Sequence, residues 1–60
     1  RIAQERHRKK LSQEKLAELS GLHKNYIGSI ERAEKNPTIV ALEKIAKALE
    51  IKLQDLLQGF

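Results

Sequence analysis

Sixty residues with a formal net charge of +4, 40% hydrophobic and 33% charged, can hide only about 60% of their unfolded surface, which excludes several domains and a large closed pocket. Leu, Ile, Val and Phe occupy 17 positions, above the level of disordered chains, so a thin but real core is expected. The absence of cysteine excludes a disulfide, a thiolate nucleophile and a cysteine zinc site and points to a reducing cytoplasm, and the longest apolar run, Ile39 to Leu42, falls far short of the ~20 residues of a membrane span.

The first helix is expected from Ile2 to about Lys9, with Ile2, Ala3 and Arg6 on one face. Its apolar stripe is poor, so it must lean on its neighbours. A second starts at Ser12, whose hydroxyl can accept a backbone N–H, with Leu11 and Leu16 spaced as a hydrophobic staple. It should end near Ser20 and Gly21. The same spacing returns with His23 at the cap position and Leu22 and Ile27 as the staple. Pro37 pushes Asn36 out of the helical region, so this third helix finishes around Glu31 to Ala33. Thr38 then caps a fourth, in which Leu42, Ile45, Ala46 and Leu49 follow the i, i+3, i+4, i+7 template. A short fifth helix from Leu53 to about Gln58 presents Leu53, Leu56 and Leu57. No alternating strand pattern occurs, so the class is all-α: a single domain over residues 1–60, a bundle of about five short helices.

Positive charge is concentrated at one end: residues 1–10 carry +4, through Arg1, Arg6, Arg8, Lys9 and Lys10 against Glu5, whereas residues 37–60 are neutral. Such asymmetry attracts polyanions. The Arg8, Lys9 and Lys10 cluster either approaches a nucleic-acid backbone or is solvated surface.

Function is most legible between Gln13 and Arg32, which reads as helix, tight turn, helix. Gly21 supplies the positive φ that a three- to four-residue turn requires. The small Ala17 lies where two helices would cross steeply, and Leu16, Leu22, Ile27 and Ile30 point to a shared core. This is the sequence form of a helix-turn-helix.

The stretch SQEKLAELSGLHKNYIGSIERAEKNPTIVALEKIAKALEIKLQDLL closely resembles the lambda-repressor-like, Cro-type (XRE) helix-turn-helix family. The pieces that carry the likeness are Ser12-Gln13, Leu16-Ala17, Gly21, Tyr26-Ile27, Ile30-Glu31-Arg32 and Asn36-Pro37-Thr38. Within the family, GLHKNYIGSIERAEKN is most similar to restriction-modification controller proteins. The resemblance implies a bacterial or phage protein that binds double-stranded DNA as a homodimer, one helix per subunit entering successive major grooves about 34 Å apart. Position by position it implies a recognition helix from His23 to Arg32, with His23, Lys24, Asn25 and Ser29 facing base edges. The chemistry allows it: Lys24 can donate to guanine O6 and N7, and Asn25 can pair with adenine N6 and N7. Ser12 and Gln13, at a helix N-terminus that favours anions, together with Arg32, Lys35, Asn36 and Thr38, are the implied phosphate contacts. Arg6 and Glu31 match a family pair that joins the first and third helices by a buried salt bridge.

One departure stands out. The family usually places Gly where Ala33 stands, so either Ala33 takes a left-handed conformation at a cost of about 1 kcal/mol or the helix runs on through Glu34. Gly28, which costs roughly 1 kcal/mol against Ala in a helix, is either a site of close approach to DNA or merely tolerated. The hydroxyl of Tyr26 either reaches a phosphate or the ring packs beside the second helix. Val40, Leu53, Leu57 and Phe60 are more apolar residues than so small a core can hide, and with the resemblance they point to a two-fold dimer through the C-terminal helices. The alternative is a monomer in which Phe60 folds back over the core. His7 and His23 are sixteen residues apart with no i, i+4 mate, so no metal site is expected, nor any cofactor or small-molecule ligand. No Ser is tied by spacing to a His and a carboxylate, so the chain is not expected to be an enzyme. The competing function is a protein-interaction module of the same fold, such as an antitoxin-type fragment of a larger protein.

Overall fold

A computed structural model describes residues 2–58. Among them five helices follow in order, α1 (Ile2–Arg8), α2 (Gln13–Ser20), α3 (Lys24–Glu31), α4 (Ile39–Leu49) and α5 (Leu53–Leu57), and no strand is present. Side chains set the starts of α2, α3 and α4. Ser12 Oγ accepts the Lys15 N–H at 2.9 Å and Thr38 Oγ1 accepts the Ala41 N–H at 3.0 Å, each satisfying a donor with no partner inside its helix. His23 does the same less well, Nδ1 accepting from Asn25 N–H at 3.4 Å.

The helix ends share one device. At the ends of α1, α2, α3 and α4, a residue in the left-handed region lets the chain turn back: Lys10 (φ 60°), Gly21 (φ 72°), Ala33 (φ 60°) and Glu50 (φ 58°). In each case the next N–H reaches the carbonyl five residues earlier, Leu11 to Arg6 at 3.0 Å, Leu22 to Ala17 at 3.1 Å, Glu34 to Ser29 at 2.8 Å and Ile51 to Ala46 at 3.0 Å. This is the Schellman arrangement. Leu11, Leu22 and Ile51, the residues just beyond three of these turns, pack against the core. The fourth is Glu34, and it turns to solvent.

Three helices differ by a residue at one end or both from the sequence reading. Helix α1 stops at Arg8 rather than Lys9, because Lys10 is left-handed. Helix α3 holds Lys24 to Glu31, with His23 and Arg32 as its caps rather than members. Helix α5 ends at Leu57 with Gln58 as its cap.

The core is built from the apolar faces that the spacing predicts. Leu16, Ile27, Ile45, Leu49 and Leu56 are fully buried and Ile2, Ala17, Ile30, Leu42 and Ala46 nearly so. Helix α2 packs against both α3 and α4, and α5 against α4. The result measures 23 × 23 × 18 Å. It holds α3 against the core along Ile27 and Ile30 and leaves its opposite side to solvent.

Ala33 is left-handed, so the first of the two alternatives at that position holds. Replacing it with glycine removes the Cβ strain, and Ala33→Gly is expected to raise the unfolding free energy by about 1 kcal/mol. Chemical denaturation followed by far-ultraviolet circular dichroism reads this directly. Gly21→Ala, at the equivalent turn, should lower it by a similar amount.

Candidate nucleic-acid interface

Glu31, the last residue of α3, is held from two sides. Arg6 of α1 donates from Nε to Oε2 at 2.8 Å and from Nη2 to Oε1 at 3.1 Å, while Gln13 of α2 donates from Nε2 to Oε1 at 2.8 Å. Arg6 Nη1 also donates to the Leu11 carbonyl at 2.8 Å, and its Nη2 donates to His7 Nε2 at 3.2 Å. The side chains of Arg6 and Glu31 retain only 11% and 7% of their exposure. Burial alone would push the Glu31 carboxyl up, but the hydrogen bonds from Arg6 and Gln13 and the Arg6 charge outweigh it and hold the group below its ordinary value. One carboxylate therefore fixes the N-terminal end of α2 and the C-terminal end of α3 relative to α1.

On this frame the residues expected at base edges fall on the exposed side of α3. His23, Lys24 and Asn25 are exposed. The His23 ring spends Nδ1 on its cap bond and keeps Nε2. Ser29 is half-buried, and its hydroxyl donates back to the Asn25 carbonyl at 2.9 Å, so only its oxygen lone pairs are open to a partner. It is a weaker candidate for base recognition than Lys24 or Asn25.

The residues expected at phosphates divide more sharply. Ser12 accepts from Lys15 and retains its own hydroxyl hydrogen for an anion. The Gln13 side chain turns inward and spends one Nε2 hydrogen on Glu31, while its backbone N–H, at the start of α2, remains an available donor. Arg32 is engaged, with Nε and Nη2 at 3.0 and 3.2 Å from the two carboxylate oxygens of Glu34. Lys35 and Asn36 lie exposed in the loop to α4. Thr38 uses Oγ1 as the α4 cap and donates its N–H to Tyr26 Oη at 3.3 Å.

Both residues left open by the sequence acquire defined surroundings. The Tyr26 ring packs against the core and its hydroxyl, by accepting from the Thr38 N–H, ties α3 to the start of α4. Gly28 is buried, and a Cβ there would sit 3.0 Å from Arg32 Nη1 and 3.6 Å from Gln13 Oε1. Its missing side chain leaves room for the Arg32 guanidinium. The contacts of Gln13 with Glu31, Tyr26 with Thr38 and Arg32 with Glu34 had no signal in the spacing of residues, since each joins groups across a turn or between helices.

The apolar residues assigned to a dimer surface are unequal. Val40 is 60% and Leu57 38% exposed, whereas Leu53 is half-buried against the chain's own core, and Phe60 lies outside the described residues. Leu19 and Ile39, 50% and 56% exposed, escaped the sequence reading because their helical spacing gave no reason to separate them from core positions. Leu19 borders an open groove lined by Ser20, Lys44, Lys47, Ala48 and Glu50. Among the described residues no three His, Asp or Glu side chains gather as metal ligands, and no helix is long and apolar enough to cross a membrane.

Residues 2–56 match the family model described as Helix-turn-helix. The chain is 57% identical over 47 residues to the control protein C.SmaI of Serratia marcescens, covering 78% of this chain and 56% of that protein. It is 49% identical over 47 residues to the control protein C.BamHI of Bacillus amyloliquefaciens, covering 78% and 58%. It therefore spans little more than half the length of either relative. Among solved structures, the restriction-modification controller protein C.AhdI from Aeromonas hydrophila superposes with a TM-score of 0.90 at 44% identity, covering 92% of this chain and 83% of that one. The N-terminal DNA binding domain of SinR from Bacillus subtilis gives 0.88 at 42% identity, covering 93% and 83%.

The Glu31 network makes stability depend on pH in one direction. A carboxyl held below its ordinary value in the folded chain contributes stability above the unfolded value, and that contribution is lost as pH falls through the folded one. As pH falls below about 5, wild-type protein should lose stability more steeply than Glu31→Gln, which has no titrating group at that position. At neutral pH the variant, with Arg6 left uncompensated, should be less stable by about 3 kcal/mol. Denaturation midpoints across the pH range measure both effects.

Proposed function

The chain belongs to the helix-turn-helix family, and from that membership we propose that it is the DNA-binding part of a transcriptional regulator of the controller type named among its relatives. The observation that carries this reading is the placement of Gln13 against both Glu31 and Gly28. It sets the start of α2, with its unpaired N–H groups, beside α3, whose far side is polar and exposed. A backbone phosphate at the first and base edges under the second is the docking arrangement that helix-turn-helix geometry serves.

In this reading Lys24 and Asn25 supply most of the base discrimination, with His23 and Ser29 at its margins. Ser12, the Gln13 N–H, Arg32, Lys35, Asn36 and Thr38 hold the backbone and set register without reading sequence. The exposed Val40 and Leu57, with Leu53 and Phe60 near Leu57 in sequence, supply the apolar area for a two-fold homodimer on a palindromic operator. The relatives carry the names of regulators and control proteins, and the same reading makes this chain a regulator rather than an enzyme, acting on DNA in the cytoplasm. It needs no cofactor: hydrogen bonds and counterion release supply the affinity.

Selection from a randomised duplex pool at roughly physiological salt, where nonspecific attraction is suppressed, tests the proposal. Enrichment of an inverted repeat with half-sites about 34 Å apart is the expected result. No enrichment from a folded sample overturns it and moves the interaction-module reading into first place. On the enriched site, Lys24→Ala should relax preference at one base pair by about 1–3 kcal/mol. Lys35→Ala should instead weaken all sequences alike and lower the salt slope by about one.

A further inference from the structure

We infer that Glu34 is an internal stand-in for a DNA phosphate, holding the Arg32 guanidinium across Gly28 and releasing it when a duplex backbone arrives. This rests on the DNA-binding reading above. It goes beyond that reading by assigning a role to an acidic residue that the reading leaves without one.

The pairing is two-pronged. Arg32 Nε lies 3.0 Å from one Glu34 oxygen and Nη2 3.2 Å from the other, the same fork that a guanidinium offers to two phosphate oxygens. The third nitrogen, Nη1, takes no part in the fork and lies over Gly28, 3.0 Å from where a Cβ would stand. Both partners are anchored at the backbone. The left-handed Ala33 reverses the chain, and the Glu34 N–H closes the turn on the Ser29 carbonyl at 2.8 Å. The carboxylate is thereby delivered two residues beyond Arg32, where the other three turns of this kind place an apolar residue against the core.

Exposure separates this pair from the Arg6–Glu31 pair. Arg6 and Glu31 are buried, and their exchange for an outside partner would strand a charge. The Arg32 and Glu34 side chains keep 59% and 55% of their exposure, so water screens the pair and an incoming phosphate can replace the carboxylate at little cost. Hydrogen bonding, followed by charge, raises the Arg32 pKa and lowers that of Glu34, so both stay ionised near neutrality. Until exchange occurs, Glu34 keeps the guanidinium oriented over α3 and subtracts from the positive charge that the loop presents.

The test uses a fluorescent duplex of random sequence about two helical turns long, because phosphate contacts do not depend on sequence. Affinity is measured for wild type, Glu34→Gln, Arg32→Ala and the double variant, all at exposed positions. Glu34→Gln is expected to bind about threefold more tightly than wild type. In the Arg32→Ala background the same substitution should change little, because the residue it competes for is gone. Equal gains in both backgrounds would mean that Glu34 repels the duplex by its charge alone, and no gain in either would mean that the fork does not compete with phosphate; each overturns the inference. A chain that binds the random duplex yet enriches no sequence in the selection loses the operator reading while the Glu34 comparison still returns its answer. A wild-type chain that binds no duplex at low salt overturns both.

Discussion

The arrangement of the first three helices depends on one carboxylate. Glu31 receives hydrogen bonds from Arg6 on α1 and Gln13 on α2, and a domain this small has little apolar area with which to compensate if they are lost. The Arg6 fork also takes up the Leu11 carbonyl, so the turn between α1 and α2 closes on the same guanidinium. The hydrophobic core supplies the adhesion, since Leu16, Ile27 and Ile45 are buried completely. Adhesion is not directional, however, and the charged network is what restricts how α2 and α3 rest on that core.

Backbone geometry imposes a second restriction. Four consecutive helices end in a left-handed residue, yet only Gly21 lacks a Cβ, and Lys10, Ala33 and Glu50 accept the strain. The return is that each turn reverses the chain within two residues, and three of the four insert an apolar residue into the core immediately afterwards. Short connections of this kind suit a bundle whose longest helix, α4, has 11 residues.

Much of this was legible in the residues. Ser12, Thr38 and Pro37 mark helix boundaries by local chemistry, and the run from Leu42 to Leu49 shows its buried face by period. The helix-turn-helix could be read from Gly21 and the apolar positions on either side of it. What could not be read is which polar groups meet. Gln13 looked like a surface residue at a helix start, but 18 positions separate it from the carboxylate it binds. Arg32 offered a cation for phosphate, and nothing in its spacing indicated that Glu34 would already hold it. Leu19 and Ile39 share the helical spacing of core residues, and only their positions in the packed bundle leave them outward. Local hydrogen bonding and periodicity are written along the chain, whereas pairings across turns depend on packing that must form first.

The bond from the Thr38 amide to the Tyr26 hydroxyl has an optical consequence. The chain contains one tyrosine and no tryptophan, so no indole masks the phenol emission. The chain thus carries an intrinsic reporter at the joint where α3 meets α4. Any event that loosens or tightens that joint changes the surroundings of the phenol, and its fluorescence follows the change without an attached label.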